Sequence, residues 1–184
     1  AVPEARLLPG GSLAHDREFA LFDQEKYCVN GKRHPRIHLI RAEYDLADFT
    51  VTLWTRDPSE AQTFHLLDEQ ARLEAWLSDF FGFPVMIKRD TNTGFPDDPE
   101  SPGPTLISMA TLAEVSSWFP ELNQEQASRR FRANLEISNV PAFWEDQLFG
   151  EPGETVGFAI GTVSLHGVNP CQRCVVPTRH PETG

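Results

Sequence analysis

The sequence predicts a mainly β protein with a few helices, an α+β chain in two parts. Three observations predict it. Short runs rich in β-branched and aromatic residues recur (REFALFD, RIHLIRA, FTVTLW, PVMIK, FRANLEI, VGFAIGTVSLHG), separated by Gly, Pro, Asn and Asp. Helical periodicity is confined to a few short stretches. Residues 90–104, DTNTGFPDDPESPGP, form a Pro-, Gly- and Asp-rich connector that divides the chain into 1–95 and 96–184.

In REFALFD, Phe19 and Leu21 alternate with Ala20 and Phe22, so both faces of the strand are apolar. Asn30-Gly31 predicts a hairpin turn, and RIHLIRA and FTVTLW continue the strand series. Over 68–81 the period changes. Leu73, Trp76, Leu77 and Phe80 fall at i, i+3, i+4 and i+7, and Gly82 is placed to end the helix. PVMIK returns to strand. Beyond the connector, Ser108 is placed to cap a short helix bearing Leu112, Val115 and Phe119, which Pro120 stops. Asn123, followed three residues later by Gln126, predicts a capping box on a second short helix. FRANLEI and VGFAIGTVSLHG read as strands, the latter as one long glycine-punctuated strand of the kind barrels use.

With 184 residues, 40% hydrophobic and 23% charged, the chain has the composition of a folded soluble protein. No apolar run approaches the roughly 20 residues a membrane span needs, so no membrane role is expected. No basic-then-apolar leader is visible. The formal charge of −11 argues against nucleic acid, whose phosphates need a basic face. Three cysteines are too few for a disulfide framework, which points to a reducing compartment, the cytoplasm. The arginines are clustered: Arg129, Arg130 and Arg132 fall together, and Arg33 and Arg36 mark another tight stretch. Such clusters in an acidic chain suggest a small anionic ligand, against the plainer reading of solvated arginines paired with carboxylates.

The stretch NPCQRCVVPTRHPETG, residues 169–184, carries Cys171 and Cys174. Zinc could recruit His166 and His180, but these flank the cysteines singly and at unequal distances. A redox dithiol needs a helix after the pair, whereas VVPT is strand-and-turn chemistry. Two buried structural thiols are a third reading. A single thiolate ligand to a redox metal is a fourth, with Arg173 beside Cys174 favouring the charged thiol. The residues alone leave these open.

CQRCVVPTRHPETG resembles the cysteine loop of MOSC-domain proteins, the family named for the C-terminal part of molybdenum cofactor sulfurase. Their pattern is Cys-x-Arg-Cys, a short β stretch, then Asp-Pro-x-Thr-Gly. Three further stretches match in order. HDREFALFDQEKYCVNGKRHPRIHLI is similar to the N-terminal β-barrel of these proteins, PTLISMATLAEV to the helix opening the MOSC domain, and RFRANLEI to a Phe-Arg-x-Asn strand. The resemblance implies an N-terminal barrel over 1–95 and a MOSC barrel over 96–184, with a molybdenum–molybdopterin cofactor between them. As in the family's amidoxime-reducing component and its bacterial counterparts, it implies reduction of N-hydroxylated or N-oxide substrates.

By the same resemblance Cys174 is the catalytic thiolate on molybdenum, and Gln172 and Arg173 are neighbours that contact the cofactor. Arg132 and Asn134 grip the pterin and its phosphate, Arg17 comes from the N-terminal subdomain, and Ser101 supplies a hydroxyl beside the cofactor. Glu100 is a candidate proton donor. Guanidinium groups suit a phosphate, and two residues apart on a strand Arg132 and Asn134 would share a face. The chain has no haem, flavin or iron–sulfur cysteine set, so electrons are expected from a separate ferredoxin or flavin-reductase type of donor. The alternative is a non-catalytic carrier of molybdopterin or of persulfide sulfur on Cys174. Departures from the family pattern include Ala133 in place of proline and Pro141-Ala142 in place of an acidic pair before Trp144. The family's early Lys-Ser and the strand-rich segment after its Thr-Gly have no counterpart, from which a processed or truncated stretch is expected.

Overall fold

The structure, a computed structural model, describes residues 4–172 and 175–178. Its fold is α+β and mainly β, with three α-helices among the described residues. Contacts sort the chain into two units. Arg17–Phe95 forms one, and the segment before Arg17 joins Pro96–Thr178 in the other. The first division therefore differs from a cut at 95 alone. Residues 6–14 close on themselves through the Leu7–Leu13 bridge and the Ala14 N to Arg6 O bond of 2.8 Å, and Gly11 lies against Gly103.

In the N-terminal unit, β1 (Phe19–Phe22) pairs antiparallel with β5 (Met86–Arg89), while β2 (Arg41–Asp45), β3 (Thr50–Trp54) and β4 (Gln62–His65) form a meander. Alternation on β3 buries Val51 and Leu53 against Phe64 of β4 and the helix α1 (Gln70–Phe81). Leu73, Leu77 and Phe81 are the fully buried face of α1. Trp76 and Phe80 are partly buried beside it and stack on each other at 5.9 Å. Gly82 ends the helix at φ 79°, its N–H donating to Ser78 O at 2.8 Å. Space around its missing Cβ is open, so only backbone strain opposes a side chain there. Gly82→Ala is expected to cost about 1 kcal/mol in urea unfolding, with no change in the slope.

The stretch RIHLIRA is not a single strand. Pro35–Leu39 forms a 3₁₀ turn and pairing begins only at Arg41. Proline fixes φ in the first turn, and Asn30 has already reversed the chain, its Oδ1 accepting N–H groups from Lys32 and Arg33 at 3.1 Å. The Asn-Gly pair thus makes a turn into a helix-like segment instead of a hairpin.

In the C-terminal unit, β6 (Leu106–Ser108) runs parallel to β7 (Leu135–Ile137), and α2 (Met109–Ser117) and α3 (Gln124–Phe131) make the crossover. Both caps lie where the sequence places them. Ser108 Oγ accepts from Thr111 N at 2.9 Å, and Asn123 and Gln126 form a reciprocal capping box. Ile107, Leu112 and Ala127 are the buried centre, with Leu122, Phe131 and Ala133 packed around them. VGFAIGTVSLHG is two strands. β8 (Val156–Ile160) and β9 (Val163–Gly167) form an antiparallel hairpin turned at Gly161, where φ is 61°. Among the described residues no helix is long and apolar enough to cross a membrane.

Candidate cofactor-binding site

Arg132 does not lie on a strand. Phe131 is the last residue of α3, and Arg132 is its C-cap in the left-handed region, φ 51° and ψ 40°, with its N–H on Ser128 O at 2.8 Å. Arginine has no special tolerance for that conformation, which costs it about 1–2 kcal/mol. The left-handed residue turns the chain sharply out of the helix, so the expected common face with Asn134 does not arise. What the turn does is deliver Asn134 to Thr105. Asn134 Oδ1 accepts from both Thr105 N and Thr105 Oγ1 at 3.0 Å, and Asn134 N donates to Thr105 Oγ1 at 3.2 Å. These bonds fix the start of β7 beside the start of β6. The side-chain NH₂ of Asn134 has no hydrogen bond among the described residues and is available as a donor.

Arg132 is exposed and carries no ion pair among the described residues. Arg130, in the last turn of α3, has its Nε buried without a hydrogen-bond partner among the described residues. The bland role of basic residues here is to offset the carbonyl end of the helix dipole. An unpartnered buried donor is more than that role requires. A set of unpaired guanidinium donors and a free amide NH₂ fits the phosphate and pterin edges of an anionic cofactor.

The cysteine loop is tied to the same unit from both ends. Before the pair, Asn169 Nδ2 donates to Asp98 Oδ2 at 3.2 Å and to Ser101 Oγ at 3.3 Å. Ser101, chosen from the connector, is therefore next to the segment that leads into Cys171. After the pair, a 3₁₀ turn at Val176–Thr178, closed by Thr178 Oγ1 on Val175 O at 2.7 Å, packs against α3, the helix that Arg132 caps. Cys171 is an exposed free thiol and Gln172 is also exposed. Arg173 and Cys174 lie outside the described residues. Glu100 is exposed, with its N–H on Asp98 Oδ1 at 3.1 Å.

Arg17 belongs to the N-terminal unit, at φ 51°. Its carbonyl accepts from Phe95 N at 2.9 Å. The next residue, Glu18, is buried, with its carbonyl on Asp90 N and its carboxylate on Arg89 Nε at 2.6 Å. The 90–95 loop thus holds the Arg17 backbone. Asp90 organises that loop by accepting N–H groups from Asn92 and Thr93, which hold its carboxyl below the ordinary aspartate range. A depressed pKa stabilises the folded loop above the unfolded value and loses that stabilisation as pH falls through the folded one. Protection of the Asn92 and Thr93 amides, taken as exchange relative to the intrinsic rate at each pH, is accordingly expected to hold from neutrality down to the ordinary aspartate range and to be lost below it.

Asn169 and Thr105 stand inside the stretches NPCQRCVVPTRHPETG and PTLISMATLAEV, but no local signal marks either as a long-range contact.

The MOSC N-terminal beta barrel domain matches residues 1–84 and the MOSC domain matches residues 105–184. The molybdenum cofactor sulfurase of Homo sapiens is 23% identical over 219 aligned positions, covering 94% of this chain and 24% of the relative. The chain thus spans about a quarter of that protein's length. No solved structure matches. Together the two matches leave residues 85–104 unassigned, the connector and the β5 strand before it, and the chain belongs to the MOSC-domain family, with its N-terminal β-barrel domain followed by the MOSC domain.

Proposed function

We propose that this chain binds a molybdenum–molybdopterin cofactor and reduces N-hydroxylated or N-oxide substrates there. One observation carries the reading. The residues on both sides of the cysteine pair are anchored to Ser101 and to α3, the helix whose cap is the unpaired Arg132. The cofactor, when bound, supplies two-electron oxygen-atom chemistry. The chain's own residues hold it. The Arg132 guanidinium takes the phosphate through charge-assisted N–H bonds, the Asn134 amide donates to the pterin, and Gln172 and Arg173 line the approach to the Cys174 thiolate. Arg17 is the N-terminal unit's contribution, Ser101 adds a hydroxyl, and Glu100 a proton-exchanging carboxyl at the mouth. With three cysteines in the chain, electrons come from a separate ferredoxin or flavin-reductase type of donor. A cytoplasmic setting keeps the thiol reduced.

A second reading is favoured by the name of the curated relative, a cofactor sulfurase. In it the chain is a non-catalytic carrier that presents molybdopterin, or persulfide sulfur on Cys174, to another enzyme.

The full gene product, expressed in a host that makes molybdopterin, is expected to carry near-stoichiometric molybdenum. Arg132→Ala should lower metal content about tenfold under limiting cofactor, the loss of one charge-assisted contact of about 1.5–3 kcal/mol. Cys174→Ser should keep pterin but change the metal's spectra. Pterin retained with no metal-centred reduction of hydroxylamines by the wild type would favour the carrier. No molybdenum in a host whose other molybdoenzymes load normally would sink the reductase reading and leave a carrier or scaffold.

A further inference from the structure

The N-terminal unit carries a basic face that the cofactor reading does not use. Residues 26–41 hold Lys26, Lys32, Arg33, Arg36 and Arg41 and no Asp or Glu, in a chain with 27 acidic residues against 16 basic ones. In such a chain exposed cations find carboxylates easily, and Arg72 and Arg89 do so at 2.7 and 2.6 Å. Lys26, Lys32, Arg33 and Arg36 are all exposed, and none of them forms an ion pair among the described residues. The nearest acids in sequence are Asp23, whose carboxylate accepts from Tyr27 N at 2.8 Å, the exposed Glu25, and on the far side the exposed Glu43.

The two arginines rest on aromatic rings. The Arg33 guanidinium lies 4.2 Å over Tyr27, and that of Arg36 lies 4.9 Å over Phe80, itself stacked on Trp76. The scaffold beneath is firm. Asp23 N to Tyr27 O at 3.0 Å and Val29 N to Leu21 O at 2.7 Å hold the Tyr27 turn, Asn30 Oδ1 holds the Lys32–Arg33 turn, and the His34 ring packs on Phe81 and Phe83. Stacking fixes each guanidinium while leaving its in-plane N–H edge free for carboxylates, so little side-chain freedom is lost on binding.

We propose that this face docks an acidic protein surface, with Arg33–Tyr27 and Arg36 as its anchors. The aromatic content selects a protein over a free phosphate. Tyr27 is 52% exposed, and an exposed Tyr–Arg pair adds apolar contact that a small anion does not use. The net charge of −11 selects against nucleic acid or an anionic membrane, whose extended charge meets the acidic remainder of the chain, while a compact acidic patch meets only the local cations. None of this depends on the cofactor reading.

The test is a titration of the ¹⁵N-labelled chain with a synthetic peptide of glutamates interspersed with leucines. The expected result is amide shifts centred on residues 26–36 and binding about tenfold weaker as ionic strength rises from well below to physiological. Arg33→Glu with Arg36→Glu should abolish the shifts, and Tyr27→Ala should weaken binding about fivefold. These side chains are exposed, and an otherwise unchanged amide spectrum verifies the fold of each variant. Shifts elsewhere, equal binding by Tyr27→Ala, or tighter binding of inorganic phosphate, anionic phospholipid vesicles or duplex DNA at the same salt would each overturn the proposal.

Discussion

Phe64→Ala is expected to lower the unfolding free energy of the chain by about 3–5 kcal/mol. Phe64 is fully buried, the largest such side chain among the described residues, and lies on β4 directly opposite Val51 of β3. Its ring meets Trp76 of α1 edge-on at 6.4 Å and carries the Arg72 guanidinium at 4.7 Å on its face. The ring is thus one joint between sheet and helix. Alanine would remove that joint and leave a cavity which the two elements cannot both close, because β4 is fixed by its ladder and α1 by Leu73 and Leu77. A loss of this size is a large part of an ordinary domain's stability. Urea unfolding followed by tryptophan fluorescence checks it, with Leu46→Ala as the control. Leu46 is 47% exposed, and its truncation should stay within about 0.5 kcal/mol.

What the sequence makes legible here is local chemistry. The α1 period, the left-handed Gly82 stop, the Ser108 cap and the Asn123–Gln126 box are each decided by residues within a few positions of one another. The errors are of a different kind. RIHLI has the composition of a strand, yet Pro35 and the Asn30 turn outweigh it. The stretch VGFAIGTVSLHG contains a two-residue turn at Gly161 that its flanking β-formers mask. FRANLEI carries a left-handed residue that is neither glycine nor asparagine, so nothing in the pattern marks Arg132 as a helix stop. That conformation is over-determined from outside the stretch, by Asn134 bonding to Thr105 across 29 residues. The proposed site residues are named only through resemblance to a family, because the contacts around Ser101 and Asn134 are such long-range bonds. Asn169 to Ser101, 68 residues apart, is the plainest case.

Gly167→Ala is expected to be the most damaging single methyl in the C-terminal unit. Gly167 ends β9 opposite Val156, and its φ is not in the left-handed region, so the backbone itself would accept alanine. The obstacle is contact. A Cβ would land on the carbonyl oxygen of Leu148, 2.8 Å from its carbon and 3.1 Å from its Cβ, and backbone cannot swing aside as a flexible side chain does. Leu148 is 9% exposed and closes the Trp144–Leu148 turn, so relief must come from displacing the end of the β8–β9 hairpin. The expected cost is about 3 kcal/mol. Two residues on, Asn169 would leave Ser101 and Asp98, freeing the segment that enters the cysteine pair. The Asn169 side-chain NH₂ resonances should therefore lose their bonded shifts, and molybdenum content should fall about tenfold for a lost contribution near 1.4 kcal/mol. Gly161→Ala separates strain from displacement. It sits at φ 61° with open space around it, so it should cost about 1 kcal/mol while leaving the Asn169 side-chain NH₂ shifts unchanged. If Gly167→Ala behaved like Gly161→Ala, the close approach of β9 to Leu148 would not be what holds the cysteine loop in place.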